Sequence, residues 1–402
     1  MFSLRQQPWR GLYILVDTLT TYFVRVPLWF ALALPRSWRP RRSWSLRRTM
    51  LVRLLRHRVE TEDRLRTLPP TPQHETLHQG PDIKSLWIKP VPDLLHGDII
   101  TWASINGVDP IRIPGYWLDK EGFDTPIGQP LQSGEKILYR LHGGGYVILS
   151  ARPDVPEAGI TKDLLHFCKP FRRAFSVEYR LSSGEPLTPA NPFPAALYDA
   201  LAGWSYLTRD LGIPPSDIYI TGDSAGGNLS LALVRYLVES QGRYPAGERN
   251  DPVYSAPGGL ILFSPWSDMG TSHDGPGTSK ATHYLSDMLP RKSGYAEAAF
   301  TAALGLGATN TNAYMSPASH ALSPSFAGFP RTYICTGSGE NLVDEGRTLK
   351  KRMERDIGND VATGVVYDEK PDAIHVFVAF PFHEPERTET YQAISKWVGN
   401  EG

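Results

Sequence analysis

A serine stands between two glycines in Gly222-Asp223-Ser224-Ala225-Gly226, after the apolar run Ile218-Tyr-Ile-Thr221 and before a helical pattern over Gly226–Glu239. A short strand, a sharp turn and a helix raise a serine hydroxyl above a sheet edge, where it can attack a carbonyl carbon. Glycines flank such a serine because strand and helix crowd the turn. The helix N-terminus beneath it points free N–H groups at developing negative charge. A merely structural Gly-Ser turn would share the short motif but not its strand–turn–helix setting.

A second signal is His142-Gly143-Gly144-Gly145-Tyr146, directly after the apolar run Ile137–Leu141. Successive glycines let the backbone approach a substrate and turn its amides inward. Together with the Ala225 N–H, such amides make an oxyanion hole, each donor worth about 3–4 kcal/mol. A phosphate-cradling loop would need G-x-G-x-x-G or a Lys-Ser/Thr ending, and neither is present. His142 reads as an organiser of this loop and not as a base.

With a serine nucleophile, the acid and then the histidine follow in chain order. His375, in Asp372-Ala-Ile-His375, lies eight residues past the apolar run Gly364–Tyr367 and is the expected base. The rival His383, in Pro381-Phe-His-Glu-Pro385, reads as part of a surface loop. Two carboxylates compete for the orienting role in Gly337-Ser-Gly-Glu340-Asn-Leu-Val-Asp344. Glu340 sits just beyond the run Thr332–Cys335. Asp344 is four residues on, where capping the next helix is its natural use.

These residues need a scaffold, and the chain has the texture of one. Short apolar runs at Ile137–Leu141, Ala174–Tyr179, Ile218–Thr221, Leu260–Phe263, Thr332–Cys335 and Gly364–Tyr367 alternate with helical stretches Pro194–Leu207, Gly226–Glu239 and Asp344–Arg355. That alternation predicts an α/β domain whose parallel sheet is covered on both faces. Active sites in such sheets gather at the carboxyl ends of the strands. The 402 residues are 41% hydrophobic, enough for a large core, and 42 Lys and Arg balance 42 Asp and Glu. The balance argues against nucleic-acid binding. Two cysteines, Cys168 and Cys335, cannot build a disulfide framework or a thiolate metal site.

Taken together, His142-Gly-Gly-Gly-Tyr, Tyr179-Arg-Leu, Asn191-Pro-Phe-Pro-Ala-Ala-Leu-Tyr-Asp199, Gly222-Asp-Ser-Ala-Gly-Gly-Asn-Leu, Ser264-Pro-Trp, Asp344-Glu-Gly and Ile374-His-Val-Phe resemble the hormone-sensitive-lipase-like branch of the α/β-hydrolases. The resemblance covers roughly residues 134–400. It implies the α/β-hydrolase fold, a mostly parallel central sheet with helices on both faces, plus a cap and an N-terminal helical extension. It also implies carboxylic ester hydrolysis with Ser224 as nucleophile, His375 as base, and Gly143, Gly144 and Ala225 at the oxyanion hole. No metal or organic cofactor is needed for that chemistry. Glu340 stands where the family usually has Asp, and the segment before His375 is longer, so both acids stay in play. The aromatic content of residues 59–133 and of an insert at about 270–313 suggests an apolar, fairly bulky small-molecule ester. The alternative is a hydrolytic or non-hydrolytic step, a dehydration or condensation, on an intermediate of secondary-metabolite biosynthesis. A receptor or inert scaffold would not require both Ser224 and His375 with a glycine array.

The neutral total hides an uneven N-terminus. Residues 1–58 hold twelve Arg, no Lys and one acid, Asp17, for a net of +11. The apolar stretch Gly11–Leu34, broken by Asp17, Arg25 and Pro27, runs into Arg36, Arg39, Arg41, Arg42, Arg47 and Arg48. One reading is a helix docked on the protein's own core. The other is membrane attachment, spanning or interfacial, of an intracellular protein, with the arginines on the anionic face. This segment resembles that of fungal hydrolases encoded beside polyketide and peptide pathways. The expected organisation is thus a basic and apolar segment 1–58, a cap with N-terminal strands 59–133, and a catalytic domain 134–402 carrying the insert.

Overall fold

A computed structural model of the chain describes residues 2–65, 74–241, 252–289 and 294–399. Among them, eight strands form one sheet: β1 (Lys84–Ile88), β2 (Ile113–Asp119), β3 (Lys136–Leu141), β4 (Phe171–Val177), β5 (Ile218–Asp223), β6 (Gly259–Phe263), β7 (Thr332–Gly337) and β8 (Val365–Lys370). They lie in the order β1-β2-β4-β3-β5-β6-β7-β8. The first two pairings are antiparallel and the rest parallel. Each apolar run expected to be a strand from Ile137 onward falls within or across one of β3 to β8.

The runs read as unbroken apolar stretches because the central strands are buried on both faces. Side chains alternate across the sheet. Ile137, Tyr139, Leu141, Ile218 and Ile220 enter one core cluster, while Leu138, Tyr219 and Phe171 enter the other. The first cluster is roofed by α4 (Asp98–Asn106), α6 (Ala195–Ser205) and α7 (Ala225–Ser240). The second lies under α5 (Gly159–Phe167) and α12 (Glu386–Gly399). Between β6 and β7 lie the short helices α8 (Ser279–Thr282), α9 (Tyr295–Thr301) and α10 (Ala308–Thr311), and α11 (Val343–Ile357) follows β7.

The N-terminal segment divides in two. α1 (Trp9–Thr20), a π-helical turn at Thr21–Arg25 and α2 (Val26–Ala33) run as one helix of 25 residues, while α3 (Leu46–Leu65) lies between it and the rest. Val52 on α3 and Trp44 just before it belong to the second core cluster. The Trp44 indole N–H donates to the Asp372 carbonyl at 2.7 Å, and Arg48 pairs with Glu386 at 2.9 Å. Residues 41–56 are thus tied to the core, whereas α1 and α2 keep most of their apolar side chains exposed.

Candidate active site

Five loops meet at the carboxyl edge of the parallel strands, following β3, β5, β6, β7 and β8. Ser224 occupies the β5–α7 turn with φ 51° and ψ −119°. A left-handed φ of this kind is rare for a residue with a Cβ and is held only where the surroundings over-determine it. Here the Ser224 N–H donates to the Phe263 carbonyl at 3.0 Å, and its own carbonyl accepts from Asn228 at 3.1 Å and Trp266 at 2.9 Å. A Cβ on Gly226 would run into the Leu141 and His142 carbonyl oxygens, so only glycine fits two residues after the serine.

The glycine loop after β3 is locked from behind. The His142 ring stacks on Tyr179 with centroids 4.2 Å apart, and the Tyr179 hydroxyl donates to the His142 carbonyl at 2.7 Å. Burial pulls the His142 pKa down to about 4, so the ring is a neutral structural piece at pH 7. The Gly143 N–H donates to Asp223 Oδ1 at 3.1 Å, and the same carboxylate pairs with Arg140. This is a departure from the expected oxyanion hole, because the Gly143 amide is already spent. The Gly144, Gly145 and Ala225 N–H groups have no acceptor among the described residues. Gly144 has φ 102° and Gly145 φ 62°, conformations that turn the peptide planes and favour glycine.

His375 follows β8. Its ring is buried and neither ring nitrogen has a hydrogen-bond partner. Desolvation lowers its pKa to about 4, against the opposing pull of the Asp223 carboxylate. Glu340 follows β7 and is fully buried. Its Oε2 accepts from the Ser264 hydroxyl at 2.6 Å and the Gly337 N–H at 3.1 Å, while Oε1 is unpartnered. Burial, and then the nearby Asp287 carboxylate, push the Glu340 pKa well up. The Ser224 hydroxyl, the His375 ring and Glu340 Oε1 make no hydrogen bond to one another in this structure. Catalytic hydrogen bonds are often open until substrate arrives.

Two residues that carried no role in the sequence reading brace the acid loop against the histidine loop. The Ser264 hydroxyl donates to Glu340 and accepts the Val376 N–H at 3.0 Å. Asp287, from the insert, accepts the His375 N–H at 2.9 Å on one oxygen and the Asn341 N–H at 2.8 Å on the other. Burial raises the Asp287 pKa to about 6, with its backbone donors holding it from rising further. Ser264, just past the end of β6, has φ 44°, as strained as Ser224, whereas nothing in Leu285-Ser-Asp287-Met marks Asp287 as special.

Asp344 is occupied elsewhere. It accepts the Ser279 N–H at 2.7 Å and pairs with Arg347 at 3.1 Å, tying α11 to the insert. It lies in the first turn of α11 and not at its cap, which is Leu342. His383 is not on a surface loop: it is buried, packed against the Phe377 and Phe382 rings, and its pKa is lowered by burial to about 3.

Residues 138–379 match the family model described as alpha/beta hydrolase fold. The chain is an α/β-hydrolase. An acetyl-hydrolase of Streptomyces hygroscopicus is 29% identical to it over 261 residues, 61% of this chain and 69% of that protein. An esterase of Acinetobacter venetianus is 26% identical over 56% of this chain and 63% of its own length, so the hydrolase spans about two thirds of these relatives. The solved structure of a hormone-sensitive lipase from a metagenome library superposes with a TM-score of 0.57, covering 88% of this chain and 99% of its own at 21% identity. The α/β-hydrolase is a carboxylesterase-like hydrolase, and its likeness to the hormone-sensitive lipase is one of fold.

Proposed function

We propose that the hydrolase cleaves carboxylic esters of fairly bulky apolar compounds by acyl transfer, with Ser224 as nucleophile, His375 as base and Glu340 as orienting acid. The observation that carries this reading is Ser224 held at φ 51° at the N-cap of α7, beside amides that have no acceptor among the described residues. His375, neutral at pH 7, takes the Ser224 proton as the hydroxyl oxygen bonds to the ester carbonyl carbon. The oxyanion rests on the Gly144, Gly145 and Ala225 amides, with Gly143 serving as the hinge that fastens the loop to Asp223. The imidazolium returns its proton to the departing alcohol, leaving an acyl-serine. Water, deprotonated by His375, then releases the acid and restores the serine. Glu340 Oε1 and the His375 ring are both buried and unpartnered, which suits them to pair once the ring is charged.

The substrate preference rests on aromatic walls from the two regions proposed as the cap, residues 59–133 and the insert 270–313. Phe300 of the insert stacks on Tyr146 of the glycine loop at 4.1 Å, and Trp102 packs against Phe193 and Tyr314 at 5.4 Å each. We also assign the hydrolase to the cell interior, held at a membrane through residues 1–58. Hydrolysis of chromogenic esters of rising acyl length, by wild type and Ser224→Ala, tests the chemistry. Loss of about 10⁴-fold or more in kcat/KM with the variant is expected. A strict preference for acetyl esters of small alcohols would overturn the bulky substrate. A folded wild type that turns over no ester would overturn hydrolysis and leave a biosynthetic dehydration or condensation.

A further inference from the structure

The helix formed by α1 and α2 is amphipathic in the reverse sense of a water-soluble one. Its polar positions recur every four residues and face α3. The Tyr13 hydroxyl accepts from Arg64 at 2.9 Å, and Asp17 meets Arg25 at 2.8 Å and His57 at 3.0 Å. Thr21 meets Arg25 at 2.7 Å and His57 at 3.1 Å, and Arg53 donates to the Trp29 carbonyl at 3.1 Å. The outward face is Leu12, Leu15, Val16, Leu19 and Phe23, the last 76% exposed. Trp9 near one end and Trp38 beyond the other are 55% and 62% exposed.

Length and composition alone would allow this helix to cross a membrane. The packing does not. α3 runs antiparallel alongside, touching it from Tyr13 to Trp29, and carries Arg53, Arg56, Arg58, Glu60, Glu62 and Arg64. A perpendicular span would carry those charges into hydrocarbon. A helix lying in the surface plane leaves α3 in water on the protein side. Arg36, Arg42 and Arg47 are exposed just past the helix, with no acid among residues 18–59. Their charge fits an anionic headgroup layer.

We propose that the outward face of α1 and α2 rests in the plane of an anionic bilayer surface, embedded to headgroup depth without crossing. This rests on the membrane reading given above and settles its geometry. Trp44 and Arg41, which follow the helix, hold Asp372 three residues before His375, so the segment next to the embedded face is tied to the histidine loop.

The test is co-sedimentation of the full chain with vesicles of phosphatidylcholine alone or with added phosphatidylserine. Wild type should bind the anionic vesicles about tenfold more tightly and be stripped by alkaline carbonate. The double variant Leu15→Asp with Phe23→Asp should stay in the supernatant at an unchanged Tm. The Tm control keeps the outcome independent of whether any ester is turned over. Wild type that ignores both vesicles, a variant that pellets like wild type, or carbonate-resistant wild type would each overturn the proposal. So would a vesicle-free dimer of wild type that the variant reduces to a monomer, because a second copy would then cover the face.

Discussion

At the carboxyl edge of the sheet, Glu340, Asp287, His375 and Arg140 lie out of water, whereas along α1 and α2 Leu12, Leu15, Leu19 and Phe23 stand in it. Both regions invert the ordinary rule of burial, and they compensate differently. The buried ionisable groups are met from within: Asp287 takes main-chain N–H groups from two loops, Glu340 takes a hydroxyl and an amide on one oxygen, and Arg140 takes Asp223. Unpaired buried charge costs several kcal/mol, so such donors are what permits it. The exposed apolar face has no counterpart among the described residues, and contiguous faces of this kind mark a surface that meets something else. One inversion is resolved inside the fold and the other points outside it.

Several substitutions would break or sharpen that contrast. The largest effect is expected at the edge. Glu340→Gln should lower kcat by about 10⁴-fold while Asp344→Asn stays within about threefold, read by steady-state ester hydrolysis. Equal losses would mean that the acid has been misassigned. Next, Trp44→Ala should cost about 3–5 kcal/mol in denaturant unfolding, and Phe23→Ala within about 0.5 kcal/mol in vesicle-free buffer. A large cost at Phe23 would show that the helix face is covered by the chain itself. The smallest effect is in pH. Burial disfavours the imidazolium, so His375 keeps its basic form down to about pH 4. The acid limb of kcat/KM should therefore fall as pH drops through about 4, below the 6.5 of free imidazole, and a limb at 6.5 or higher would contradict the buried base.

Much of the edge was legible in the sequence because its demands are local. A serine at a crowded strand-to-helix turn requires glycine neighbours, and the runs from Ile137 to Tyr367 read as strands because both sheet faces are covered. What escaped reading depends on contacts distant in sequence. Asp287 reaches the His375 amide across 88 positions with no motif to announce it, and the Ser264-Pro-Trp motif gives no sign that its serine reaches Glu340 across 76. The spending of the Gly143 amide on Asp223 is a tertiary event, 80 positions apart. His383 looked solvated because its neighbours are Pro and Glu, yet Phe377 and Phe382 close over it. In the N-terminal segment the composition left docking and membrane attachment both open, and the structure divides the segment: Trp44 is buried and Phe23 is not.

The nucleophilicity of Ser224 is read by labelling with a fluorophosphonate, which transfers its phosphonyl group to an activated serine oxygen and releases fluoride. One equivalent of adduct by intact mass is expected, mapped by peptide sequencing to Ser224 and absent from Ser224→Ala. A folded protein that takes up no label, or carries it on another residue, would contradict a nucleophilic Ser224.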